Sequence, residues 1–202
     1  MRPWDLLVGL ILFLLVVIPF QALSWLAVAV VSLYILIFTD ASLHVKRGAV
    51  VLLTVTLPML WTNVLLHFFA NFILEIDAVL ISWLLGTGRH GNMVRFLDGS
   101  GYLVIFPACS SIANTALAFV CWVTLSQLVG ARWRVEDAAW CGLASASVIT
   151  VNISRLGIMG LSEWHYQQLH GQLGDVIANV LMLGFVVSFC ILGLRRELRD
   201  RV

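Results

Sequence analysis

The chain has 202 residues, of which 61% are hydrophobic and only 11% charged, with a mean hydropathy of +0.99. That composition excludes a soluble globular domain and leaves a polytopic membrane protein, with room for about six spans of ~20 residues and no appended soluble domain. The formal net charge of +1 offers no nucleic-acid surface; no cofactor is expected, since there is no nucleotide-binding loop and the four cysteines lack CxxC spacing or a His partner at zinc-finger distance.

Leu6 to Phe38 is almost continuously apolar. As one helix it would be roughly 50 Å long, too long for a ~30 Å hydrocarbon core. Pro19, Gln21 and Ser24 supply a break, so the run reads as two short spans joined by a tight turn. A cleaved signal peptide is the rival for its first part; the second apolar run, following immediately, favours a retained span. The loop Asp40 to Gly48 carries His44, Lys46 and Arg47, and a third apolar run, Ala49 to Leu74, contains Pro58. Asn63, His67, Asn71 and Glu75 recur every four residues there, along one slowly drifting helix face. Intramembrane polar residues normally face the bundle interior, either as helix glue or lining a site. Glu75 and Asp77 interrupt the run, and Ala78 to Leu85 is too short to span and reads as an interfacial helix.

Gly86 to Gly101 is a Gly-rich loop. Asp98-Gly99 is a turn signal between Val94-Arg95-Phe96-Leu97 and Tyr102-Leu103-Val104-Ile105, which predicts a small hairpin. The fourth span runs from about Leu103 to Leu128 and holds Cys109. The fifth, Ala138 to Leu161, contains Asn152 and Arg155 on one face. A loop through Glu163-Trp164-His165-Tyr166 leads to His170-Gly171. The sixth span, Val176 to Leu194, is followed by Arg195, Arg196, Arg199 and Arg201. The fold class is therefore all-α: a single integral membrane domain, residues 1–202, of about six transmembrane helices. Within it, 1–85 are N-terminal helices, 86–102 an outer loop, 103–194 the helices of the candidate site and 195–202 a basic tail.

Cytoplasmic ends collect Lys and Arg. With both termini inside, Arg2, Lys46, Arg47, Arg132, Arg134 and the four C-terminal arginines share the cytoplasmic side, whereas only Arg89 and Arg95 fall outside. This topology puts Cys109, Arg155 and His170 at similar depth near the outer face. Cys109 would lie roughly 9 Å below the surface at helical rise. A thiol becomes a useful nucleophile when a base or cation raises its thiolate fraction. His170 can accept and return a proton. Arg155 can stabilise the thiolate or an oxyanion. Asp175 could orient His170 or mark the interface. The remaining cysteines, Cys121, Cys141 and Cys190, read as small buried hydrophobes.

Ala108-Cys109-Ser110-Ser111, then Asn152-Ile153-Ser154-Arg155-Leu156, then His170-Gly171-Gln172-Leu173-Gly174 resemble, in this order, the motifs of the exosortase/archaeosortase family of polytopic membrane proteins. The similarity covers about residues 90–195. It implies a Cys-Arg-His active site in a cysteine protease-transpeptidase of the bacterial inner membrane. The partner would be a membrane-anchored substrate protein whose C-terminal sorting signal comprises a Pro-Glu-Pro-like motif, a membrane segment and a basic tail. Cleavage would pass the protein to an amine acceptor or water. By position, Cys109 is the nucleophile, His170 the acid/base and Arg155 the electrostatic stabiliser, with Ser110, Asn152, Asn114, Asp175 and His67 as supporting or substrate-binding candidates. The chain departs from the family pattern at Ile105-Phe106-Pro107, where many relatives carry an acid, and at Ser111, where many carry Gly. A different class of function, a non-enzymatic scaffold or small-solute carrier, would instead use the stripe Asn63, His67 and Asn71 as glue or permeation path.

Overall fold

The computed structural model describes residues 3–131 and 133–199, with the backbone alone at 3–5 and 198. Arg2, Arg132 and Arg201, which enter the charge asymmetry of the sequence, lie outside the described residues. Helix α1 (Pro3–Val17) turns at Pro19 into α2 (Gln21–Phe38), as the break in the first apolar run predicts. Helix α3 (Leu43–Thr56) follows, then a single widened π turn (Leu57–Trp61) and α4 (Thr62–Leu85). Pro58 causes the widening, because it has no N–H to continue the ladder. Threonine hydroxyls support the turn: Thr56 Oγ1 donates to the Leu53 oxygen at 2.6 Å, and Thr62 Oγ1 donates at 3.0 Å to the Leu57 oxygen, which also accepts the Thr62 N–H. Such local re-satisfaction is what makes proline tolerable in an apolar span.

Glu75 and Asp77 do not end the third apolar run. α4 continues through them to Leu85, and the break falls earlier, at Phe69, whose backbone leaves the helical region (φ −125°, ψ 18°). Beyond that kink Leu74, Asp77, Ala78 and Ile81 turn inward. Asp77 meets the start of α5, and Leu84 and Leu85 reach Gly157 and Gly160 near the end of α6. The second half of α4 therefore lies across one end of the bundle. The stripe Asn63, His67, Asn71 and Glu75 is exposed rather than buried among the helices, with Asn63 and His67 bordering a cleft beside the α1–α2 turn. The kink at Phe69 breaks the helical phase, so residues before it no longer share the face of Leu74 and Ala78.

Three short antiparallel strands cap the same end: β1 (Arg89–His90), β2 (Met93–Arg95) and β3 (Tyr102–Val104). β2 and β3 form the hairpin that Asp98-Gly99 signals, with Val94 opposite Leu103. Gly99 takes φ +76°, a conformation open to glycine at little cost. Alternation sends Val94, Phe96, Leu103 and Ile105 inward, where they join Leu74, Ile81, Leu156 and Met159 in one apolar cluster. The hairpin also holds α6 through its backbone: the N–H groups of Leu97 and Asp98 donate to the carbonyls of Gly160 and Leu161 at 3.0 and 3.2 Å.

A 3₁₀ turn (Pro107–Cys109) leads into α5 (Ser111–Leu128), followed by α6 (Val135–Met159), α7 (Glu163–Leu169), α8 (Gln172–Gly193) and the short α9 (Arg195–Arg199). α5, α6 and α8 pack around a second cluster that includes Trp122, Val148, Met182, Val186 and Cys190, with Cys121 and Cys141 against its flank. Among the described residues, five helical segments, α2, the continuous α3–α4 stretch, α5, α6 and α8, are long and apolar enough to cross a membrane; α1 is a shorter apolar helix.

Candidate active site

Cys109 does not lie within a span. It ends the 3₁₀ turn, two residues before α5 begins. The helix starts late because Leu103 to Ile105 are held by the sheet, Pro107 opens a tight turn and Ser110 caps α5. The Ser110 backbone is extended, and its Oγ accepts the Ile112 N–H at 3.3 Å. Ser110 is fully buried and acts as this cap.

Three side chains fix the corner. Asn152, buried on α6, donates through Nδ2 to the Cys109 carbonyl at 2.9 Å and to Ser111 Oγ at 3.1 Å. Its own Oδ1 accepts from Asn114 Nδ2 at 3.3 Å. On the other side Asp77, 4% exposed, accepts the Ser111 N–H at 3.0 Å through Oδ2. The sequence marks Asp77 only as a break in the apolar run, not as a site residue. An acid within an apolar run was the available signal, since intramembrane carboxylates are costly and normally have a partner.

Arg155 follows Asn152 by three residues and lies on the same face of α6. Its side chain is 13% exposed, and Nη2 donates to the Leu169 carbonyl at 3.1 Å and pairs with Asp175. Asp175 thus serves Arg155 and not His170. Gly174 permits this convergence, because a Cβ there would fall on the Leu169 carbonyl; only glycine lets the first turn of α8 come so close to the end of α7. The Nε of Arg155 is buried without a partner among the described residues.

Burial pushes the half-buried Cys109 thiol above its ordinary value; the Arg155 charge opposes this, and the Asp175 carboxylate adds to it. Cys109 and Arg155 are therefore within electrostatic reach of each other. His170 ends α7 as an exposed residue, its ring stacked on Tyr166 with centroids 4.7 Å apart. Tyr166, Leu169 and Cys109 all pack against the same apolar cluster. Among the described residues no hydrogen bond joins the thiol to the His170 ring. His67 is remote: it borders a cleft beside the α1–α2 turn, roughly 15 Å along α4 from Asp77 at helical rise.

An apolar groove of about 410 Å³ runs between α6 and α8, with Arg155 and Leu169 at one end and Phe185 and Phe189 towards the other. No group of three or more His, Cys, Asp or Glu is arranged to hold a metal among the described residues. The chain matches no family model, no curated protein and no solved structure.

Proposed function

We propose that this chain is a multi-pass, exosortase-like cysteine peptidase/transpeptidase of the bacterial inner membrane, cleaving a C-terminal sorting signal near the outer face. The observation that carries the reading is that one face of α6 both anchors the Cys109 carbonyl through Asn152 and brings the Arg155 charge to bear on the thiol. A nucleophile with its backbone held and a cation within electrostatic reach is the arrangement that acyl transfer uses. The charge distribution supports the orientation. The end bearing Lys46, Arg47, Arg134 and α9 is cytoplasmic, and Cys109 is at the opposite end.

In the proposed reaction His170 takes the Cys109 proton as sulfur attacks the peptide carbonyl. The C–N bond breaks as His170 returns the proton to the leaving amine, and a thioester remains. An amine or water then attacks the thioester carbon, the C–S bond breaks and the thiol regains a proton. Arg155 faces the developing oxyanion. The groove between α6 and α8 suits the membrane segment of the substrate, its motif emerging at Arg155. His170 has to leave its stack on Tyr166 for this, as catalytic pairs in unliganded sites often tighten only with substrate bound.

The decisive experiment is co-expression with a reporter protein ending in a Pro-Glu-Pro-like motif, an apolar segment and a basic tail. Processing should occur with the wild-type chain and stop in Cys109→Ala; a Cys109→Ala variant that still processes the reporter removes the mechanism. A second reading, a non-enzymatic scaffold or small-solute carrier subunit, is favoured by the pairing of Arg155 with Asp175, which occupies the cation. Alkylation separates the two. A nucleophile should be the fastest of the four cysteines and depend on His170, whereas a packing cysteine should not.

A further inference from the structure

The end of the bundle opposite Cys109 carries a cleft of about 540 Å³ between the first turns of α3 and the last turns of α5. Four polar side chains converge on it: His44 and Arg47 from α3, Thr124 and Gln127 from α5. None of the four side chains has a hydrogen-bond or ion-pair partner among the described residues. Three arginines elsewhere are spent on acids, Arg155 on Asp175, Arg89 on Glu75 and Arg196 on Glu136. Arg47 is half-buried and still unpaired, which is costly for a guanidinium unless an anion from outside the chain meets it. Beyond the polar rim the cleft continues along Val51 and Leu128, apolar walls that face the surroundings of the bundle. Gly48 lines the cleft, and a side chain there would meet no other group within 4 Å of its Cβ and would take up space beside the polar rim.

We propose that this cleft is a binding site for an anionic phospholipid, with the phosphate on Arg47 and His44, hydrogen bonds from Thr124 and Gln127, and one acyl chain along Val51 and Leu128. Charge complementarity selects the headgroup. The described residues at this end include six cations, Lys46, Arg47, Arg134, Arg195, Arg196 and Arg199, against four acids, Asp40, Glu136, Asp137 and Glu197. Basic pockets between spans recruit anionic headgroups in this way. The apolar wall selects a lipid over a free anion, which would have no use for it. The inference does not depend on the chemistry at Cys109.

The test is native mass spectrometry of the full chain in a neutral maltoside detergent, titrated with dioleoyl-phosphatidylglycerol or dioleoyl-phosphatidylcholine. The first phosphatidylglycerol should bind roughly fivefold more tightly than phosphatidylcholine. Arg47→Gln should remove that preference. Gly48→Leu should block the adduct with the charge intact, and Arg196→Gln should leave it unchanged. Equal binding of the two lipids, or a preference that survives both Arg47→Gln and Gly48→Leu, overturns the site. Displacement of phosphatidylglycerol by inorganic phosphate at equal concentration marks a simple phosphate site and overturns the lipid assignment. If Arg47→Gln does not fold, the wild-type lipid comparison and Gly48→Leu still decide.

Discussion

The side-chain amide of Asn152 donates to the carbonyl oxygen of Cys109 at 2.9 Å, across 43 residues of sequence. This bond turns a turn that precedes α5 into a fixed corner held by α6. Asn152→Ala removes it together with the bond to Ser111 and strands the Asn114 amide. Leaving buried polar groups unpaired costs about 1–3 kcal/mol. The expected result is a lower melting temperature in detergent and an altered rate of Cys109 alkylation, with Asn114→Ala milder on both counts. An Asn152→Ala variant as stable as wild type would show that the corner needs no tether.

Asp77 holds the same corner from α4, and its carboxylate accepts the first N–H of α5. Asp77→Ala should destabilise by about 1–2 kcal/mol, as the loss of a helix cap does. Asp77→Asn keeps an acceptor oxygen and should recover most of that loss. Thermal unfolding of the two variants side by side checks this, and equal losses would mean that the negative charge, not the hydrogen bond, is what α5 requires.

The reactivity of Cys109 should follow pH in opposite directions in two variants. Burial raises the thiol, Arg155 lowers it and Asp175 raises it. Arg155→Gln removes a lowering influence, so less thiolate forms at a given pH and the alkylation profile moves to higher pH. Asp175→Asn removes a raising influence and frees Arg155, so the profile moves to lower pH. On the acid side of the profile the thiolate fraction, and with it the rate, changes about tenfold for each pH unit by which the profile moves. Iodoacetamide rates measured from about pH 6 to about pH 10 provide the comparison. Coincident profiles would mean that Arg155 does not act on the thiol.

Gly174→Ala places a methyl group on the Leu169 carbonyl. Backbone cannot yield as a flexible side chain can, so α8 must move away from α7, at about 1–3 kcal/mol by the usual scale of overpacking. The same displacement separates Asp175 from Arg155. A melting temperature below wild type, together with an alkylation profile resembling that of Asp175→Asn, is the expected pair of results.

Local signals were enough for some of this architecture. Pro19 marks the first break, Asp98-Gly99 marks the hairpin, and the spacing of Asn152 and Arg155 places both on one face of α6. Other features depend on geometry that the residue pattern alone does not specify. Leu103 to Ile105 read both as the second strand of the hairpin and as the opening of an apolar span, and pairing with Met93 to Arg95 decides for the strand and delays α5 to Ser111. The four-residue spacing from Asn63 to Glu75 assumes an unbroken helix, whereas the departure at Phe69 resets the phase and leaves His67 outside. Asp175 is four residues from the Gly171 turn and close in sequence to His170, yet Gly174 brings it to Arg155 instead.

The candidate site draws on α4, the turn before α5, α6, and the junction of α7 with α8. During synthesis Asp77 emerges before the thiol, whereas Asn152 and Arg155 emerge after it. A nascent chain released or truncated after α5 would carry Cys109 with neither Asn152 nor Arg155 beside it. The corner at Cys109 is thus complete only once α6 has docked, and the Arg155–Asp175 pair only once the start of α8 has followed, so half-made chains are spared a fully formed site.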